Sequence, residues 1–220
     1  LTYFATARFT SEKPEAERAI ATAKKGLDAE RQFAEGELEQ AEITYRTIQR
    51  YFPQDTIFVP RRLEEIQLVK RVFEEKTKGK NQIEIQSLSL AKQQLPTLPV
   101  ALSSLVQLQA LDLSNNPLPN LPSWIGRLKN LRDLKIMDAN LTGLPLEMGN
   151  LAALERLNLV NNPDLKALPT ELGQLHSLQD IDLGYCGIQV LPSSIGLLSN
   201  LSKLNVAHSS LQQLPPELGQ

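Results

Sequence analysis

From Ile85 onward the apolar positions fall on a fixed lattice. Between Leu108 and Leu128 they stand at Leu108, Leu111, Leu113, Leu118, Leu121, Ile125 and Leu128, with Asn116, Pro122 and Gly126 at set places among them. The lattice restarts at Leu131, Leu154, Leu178 and Leu201, in steps of 23 residues with one step of 24. The longer step falls where an extra residue enters around Pro163-Asp164. A period of this length marks a solenoid, whose repeats bury their apolar faces only against their neighbours. Alternation such as Leu111-Asp112-Leu113 predicts a short strand buried on one face. One strand per repeat stacks into a parallel sheet. The Leu-Pro step, repeated from Pro99 to Pro215, leaves that sheet, because proline fixes φ and cannot donate to a ladder. Glycines at 126, 149, 173, 196 and 219 then end a short helical turn and allow close packing on the next repeat.

One polar slot is turned inward. Gln93, Asn116, Ala139, Asn162, Cys186 and Ser209 occupy it in turn. An asparagine there can satisfy buried backbone groups of neighbouring turns. Ala139 cannot, so the ladder is expected to weaken around the third repeat.

The complete pattern, L-x-x-L-x-L-x-x-N-x-L-x-x-L-P-x-x-I-G-x-L over residues 85–220, resembles the leucine-rich repeat proteins. It is similar to their 23-residue class, met in intracellular Ras-pathway scaffolds, related plant proteins and many bacterial proteins, some of them secreted effectors. The resemblance implies an α/β fold, a right-handed horseshoe solenoid with a parallel concave sheet. Residues 82–220 form that domain, with six repeats, the last incomplete.

Residues 1–81 lack the lattice and read as α-helical. Ser11 and Pro14 open a first helix with Ile20, Ala23 and Leu27 on one face, and Gly36 breaks it. A second runs from Glu37 to Tyr51, with Leu38, Ala41, Tyr45 and Ile48 as its stripe. Pro60 opens a third, bearing Leu63, Ile66, Val69 and Phe73. Lys76–Lys80 reads as a polar linker. Gly36, Ala41, Tyr45 and Pro53 resemble the closing half of a tetratricopeptide unit, with Lys25 where its opening aromatic belongs and no second copy following. Because the first turn of a solenoid needs cover, the helices are expected to cap the repeats.

Composition narrows function by exclusion. A net charge of −2 and 22% charged residues give no field that favours nucleic acid or an anionic membrane surface. No apolar run approaches the roughly 18 residues that span a bilayer. With one cysteine and two histidines no metal site of the usual soft ligands is expected, and no cofactor either. Phosphate loops and nucleophile elbows are missing, so no catalytic residue is expected. Cys186 next to the repeat of His208 suggests a thiol enzyme, but the inward slot makes the cysteine a small core filler. A single cysteine also points to a reducing, cytoplasmic setting. Trp124 is expected to cover the neighbouring turn or to mark a second contact surface.

The residues that the fold does not require stand at the third, fifth, seventh and eighth positions of each repeat, facing the concave solvent side. Met137, Val160, Tyr185 and His208 make a semi-apolar diagonal there. Lys135, Asp138, Arg156, Asn158, Asn161, Asp180 and Asp182 surround it. An apolar centre with a charged rim is how protein-binding hot spots are composed. The expectation is a non-enzymatic module that binds a protein or peptide partner on its concave face, with neither nucleic-acid binding nor membrane insertion. Its alternative is the targeting domain of a larger bacterial effector or signalling enzyme, whose catalytic domain lies outside this chain. The array stops in mid-turn with Leu211, Leu214 and Leu218 uncovered, which suits that alternative. A leader ahead of Leu1 would instead favour an extracellular role.

Overall fold

The computed structural model describes residues 13–51, 58–80 and 84–219. Three helices come first: α1 (Lys13–Ala34), α2 (Leu38–Tyr51) and α3 (Phe58–Thr77). Six three-residue strands follow, β1 (Ser87–Ser89), β2 (Ala110–Asp112), β3 (Asp133–Lys135), β4 (Arg156–Asn158), β5 (Asp180–Asp182) and β6 (Lys203–Asn205). They form one parallel sheet in chain order. Each strand meets the next in the same register, so Leu88, Leu111, Leu134, Leu157, Ile181 and Leu204 lie in one row. All but Leu204 are buried.

Every repeat returns through a short 3₁₀ turn, such as Ser123–Arg127, whose preceding proline holds φ between −63° and −71° in the five repeats from Pro99 to Pro192. The glycine in that turn is needed for space. A Cβ on Gly149 would stand 2.4 Å from the Glu171 carbonyl oxygen of the next repeat.

The strands are shorter than the alternation suggests. They cover only the third to fifth positions, and the eighth position is left-handed in every repeat. Lys92, Asn115, Asp138, Asn161, Tyr185 and His208 all have φ between 51° and 61°. The chain turns out of the sheet there, so the expected strand ends early.

The inward slot works as expected where asparagine fills it. Asn162 Oδ1 accepts the amides of Ala139 (3.2 Å) and Leu141 (3.0 Å), and its Nδ2 donates to the carbonyls of Ile136 and Leu159. Asn116 does the same two repeats earlier, from Gln93 and Leu95 to Leu90 and Leu113. At Ala139 the backbone closes the gap, since the Leu118 amide bonds the Ala139 carbonyl directly at 2.8 Å.

The α2 stripe of Leu38, Ala41, Tyr45 and Ile48 is buried throughout, as are Ile66, Val69 and Phe73 of α3. Of the expected α1 face, the Ile20 and Ala23 side chains lie outside the described residues, and Leu27 does not pack. Leu27 is 52% exposed, while Gly26, Ala29 and Phe33 are buried, because small residues let α1 and α2 approach closely. Ser11 and Pro53 lie outside the described residues. The supposed linker begins late: α3 runs on to buried Thr77, and Gly79, at φ 72°, ends it.

The helices dock on the first two repeats at one corner. The Val100 amide donates to the Gly36 carbonyl (2.9 Å), and Thr97 Oγ1 donates to the Ala34 carbonyl (3.2 Å). Ser123 presents both its amide and its hydroxyl to the Glu35 carboxylate (3.2 and 2.9 Å). Trp124 is buried at this corner, so it is a clamp between the helices and the repeats. Its indole Nε1 donates to the Glu35 carbonyl at 2.7 Å.

Candidate protein-docking face

The open face of the sheet carries its side chains in rows one repeat apart. Parallel strands lie about 4.8 Å apart, so residues aligned in register are close neighbours. The third-position row reads Asp133, Arg156, Asp180, Lys203 across β3 to β6. Its charges alternate and pair. Arg156 Nε sits 3.0 Å from Asp133 Oδ2, and Lys203 Nζ sits 3.8 Å from Asp180 Oδ2. The Asp133 carboxylate beside it holds the Arg156 guanidinium above its ordinary range. Arg156 and Asp133 are thus partly committed to each other.

The fifth-position row has a structural duty that the sequence reading overlooked. Asp112 accepts the amide of Ser114, Asn158 that of Val160, Asp182 that of Gly184 and Asn205 that of Ala207, at 2.9 to 3.1 Å. These Asx turns bend each strand out of the sheet. Asn158 and Asp182 are therefore required by the fold as well as exposed to a partner. The signal was visible as four Asp or Asn residues in one column. Lys135 is the exception in that row. The Met137 amide is met instead from the preceding repeat, by Ser114 Oγ at 3.2 Å. That substitution leaves the Lys135 side chain without a duty of this kind.

Further out, Asn161 donates to the Asp138 carboxylate across one repeat. Tyr185 and His208 stack face to face, with ring centroids 4.3 Å apart and planes 12° from parallel. Tyr185 is 55% exposed. Met137 and Val160 are half-buried between these features. A shallow depression of about 320 Å³ opens over β3 to β5, lined by Asp133, Lys135, Arg156, Asn158, Asp180 and Asp182. Of the eleven residues singled out from the sequence, Lys135, Arg156, Asn158, Asp180 and Asp182 line the depression and the other six do not.

A larger cleft, about 640 Å³, lies elsewhere, where α1 and α3 meet the solenoid. Phe33 and Arg62 line it from the helices and Pro96, Pro117 and Pro119 from the repeats. Arg62 is tied to Glu30 (2.8 Å) and Glu65 (2.6 Å) and lies over the Phe33 ring at 4.9 Å. No pattern in the chain announces this cleft, because it arises only when two distant segments dock.

Cys186 sits buried in the inward slot, and its thiol donates to the Leu159 carbonyl at 3.0 Å. Burial pushes the thiol pKa up, away from a reactive thiolate. Among the described residues no group of three or more His, Cys, Asp or Glu side chains could hold a metal ion, and no helix is long and apolar enough to cross a membrane.

The family model described as Leucine Rich Repeat matches residues 107–128. None of the curated proteins compared matches the chain. Among solved structures, a leucine-rich repeat protein of Leptospira interrogans is 32% identical over 63% of this chain and 41% of its own, with a TM-score of 0.55. The leucine-rich repeat domain of the type III effector XopL is 24% identical, with a TM-score of 0.64 over 82% of this chain and 65% of its own. The chain thus spans less than two thirds of either structure's length. The repeat lattice, the six-stranded parallel sheet and these likenesses give the chain the leucine-rich repeat fold, preceded by a helical N-terminal region.

Proposed function

We propose that the chain is a non-enzymatic module that binds a protein or peptide partner on its concave sheet. The observation that carries this reading is the Tyr185–His208 stack. Two large rings stand in left-handed backbone, a conformation that costs side chains of this size of order 1 kcal/mol each. No core contact explains them, and Tyr185 is exposed. Exposed aromatic area that the fold maintains at a cost is a binding resource, and tyrosine is a favoured anchor. Met137 and Val160 extend the apolar centre, while Lys135, Asp138, Arg156, Asn158, Asn161, Asp180 and Asp182 supply its polar rim.

The test is direct. A partner is found by affinity capture and mass spectrometry, then titrated calorimetrically against wild type, Tyr185→Ala and Met137→Ala. Each substitution is expected to weaken binding by about tenfold or more, with the melting temperature within about two degrees of wild type. Unchanged affinity for both variants would overturn the concave site.

A second reading makes the array the targeting half of a larger effector enzyme whose catalytic part lies outside this chain. Its support is that the XopL domain aligns with 82% of the chain, a span too long for the repeats alone. Sequencing the gene beyond the codon for Gln220 tests it: an open reading frame with a catalytic domain supports it, and a stop codon ends it.

A further inference from the structure

We infer that the segment received by the concave sheet is basic, an extended peptide carrying lysine or arginine side chains. This inference rests on the concave-face reading above. Charge complementarity on the open sheet face supports a basic occupant. Across β2 to β5 and the turns that follow, the face carries Asp112, Asp133, Asp138, Asp180 and Asp182 against only Lys135 and Arg156. Lys92 and Lys203 of the outermost repeats bring the whole face to five carboxylates against four cations, so the negative excess is local to the middle strands. Arg156 is spent on Asp133, at 3.0 Å, and offers little to a partner.

The remaining carboxylates are placed to be read together. Asp180 and Asp182 stand on β5 at the rim of the 320 Å³ depression, and Tyr185 follows on the same repeat. Only one oxygen of Asp182 is engaged, by the Gly184 amide (3.0 Å) and Asn205 Nδ2 (2.8 Å). Its second oxygen is available to a cation. Among the described residues Asp180 makes one ion pair, the long contact of 3.8 Å with exposed Lys203, which a bound cation can replace at little cost, and it also feels the charge of Arg156 on the adjacent strand. Tyr185, three residues beyond Asp182, offers an exposed ring to a further cationic side chain of the peptide. Lys135 sets the opposite requirement two strands away: the peptide must present a carboxylate, a carbonyl or a gap over that position. An extended chain rises about 3.3 Å per residue, so crossing from Asp182 back to Asp112, three strands apart, takes about four residues. The face therefore selects basic residues spaced about four apart over a face of this size, and it repels acidic runs.

The experiment uses fluorescein-labelled peptides of one length, one rich in lysine and one in glutamate, titrated by anisotropy at low ionic strength. The key variant is Asp180→Asn with Asp182→Asn. Asparagine already performs the turn-forming role of this row at Asn158 and Asn205, so the double variant keeps its fold. Glu74→Gln with Glu75→Gln, two exposed glutamates of α3, controls for unspecific attraction. The inference expects the lysine peptide to bind at least fivefold tighter than the glutamate peptide. It further expects the concave double variant to lose about fivefold in affinity while the helical one keeps it. The preference must fade as salt rises toward about 0.5 M, where screening shortens to a few ångströms. Equal binding of both peptides, or binding indifferent to the concave variant, overturns it. If the glutamate peptide wins and Lys135→Ala weakens it, the basic segment is wrong and the docking face stands. If the lysine peptide is lost only in the helical variant, or no concave substitution alters either peptide, the docking face falls as well.

Discussion

The indole Nε1 of Trp124 donates to the backbone carbonyl of Glu35 at 2.7 Å, across 89 residues of sequence. The bond joins the convex turn of the second repeat to the end of α1, and the Glu35 carboxylate holds Ser123 alongside. The helices and the repeats are thereby fixed to one another by named polar contacts in addition to apolar packing.

Trp124→Phe removes the donor and also empties the space of the indole's second ring, which adds a cavity cost at this buried site. A buried neutral hydrogen bond contributes about 1 kcal/mol net, and the stranded Glu35 carbonyl adds to the loss. Urea unfolding followed by circular dichroism should show a lower midpoint, equivalent to a loss of about 2–4 kcal/mol, with faster amide exchange in α1. An unchanged midpoint would place the clamp elsewhere.

Gly36 and Gly79 offer a matched pair. Both have φ near 72°, so alanine costs each about 1 kcal/mol in backbone strain. They differ in surroundings: a Cβ on Gly36 would lie 1.8 Å from the Leu98 carbonyl oxygen, while one on Gly79 meets nothing within 4 Å. Gly36→Ala must therefore push α1 off the first repeat and cost at least about 3 kcal/mol. Gly79→Ala should cost only the strain. Equal thermal shifts for the two would refute the steric account.

The inward slot makes a graded prediction. Asn162→Ala strands two amides and the Ile136 carbonyl in the core, leaves the Leu159 carbonyl with the Cys186 thiol, and is expected to cost about 2–4 kcal/mol. Cys186→Ala loses one weak thiol bond and should cost about 1 kcal/mol or less beyond the lost sulfur volume. Chemical denaturation of both variants orders them. A larger loss at Cys186 would mean that the slot works by packing alone.

Tyr45 gives the pH dependence. Burial, then its bond to the Glu30 carboxylate, pushes the phenol far above its ordinary value of 10. The fold favours the neutral phenol, so its stabilisation is complete below pH about 10, where an unfolded tyrosine titrates. It is lost as pH rises above that toward the folded value. Wild type should lose up to about 1.4 kcal/mol per pH unit in that window, and Tyr45→Phe should lack this component. Parallel slopes for the two proteins between pH 9 and 11.5 would count against it.

Much of this architecture could be read from the chain because it is repeated. Each leucine column has six chances to show itself, and the buried rows fall on those columns. The α2 stripe was legible for the ordinary reason that large apolar residues recur at helical spacing. On α1 the same rule pointed to Leu27, which is exposed, because Gly26 and Ala29 pack by smallness rather than by hydrophobicity. Exposure alone also misled at the fifth-position row. Asp112, Asn158 and Asp182 are polar and solvent-facing yet bend the backbone, and only coordinates reveal the amide that each one holds. The role of Trp124 was hidden because its partner is a backbone oxygen in another part of the chain.

The unbroken register from β1 to β6 makes the concave face editable by whole units. Excising residues 131–153 would remove one rung and set Asp112 beside Asn158, where Lys135 now stands between them. Duplicating the same unit would double Lys135 and push the two carboxylate groups further apart. Unequal exchange between repeats in the gene can thus change what the protein recognises in a single event, while the buried leucine rows never register the change.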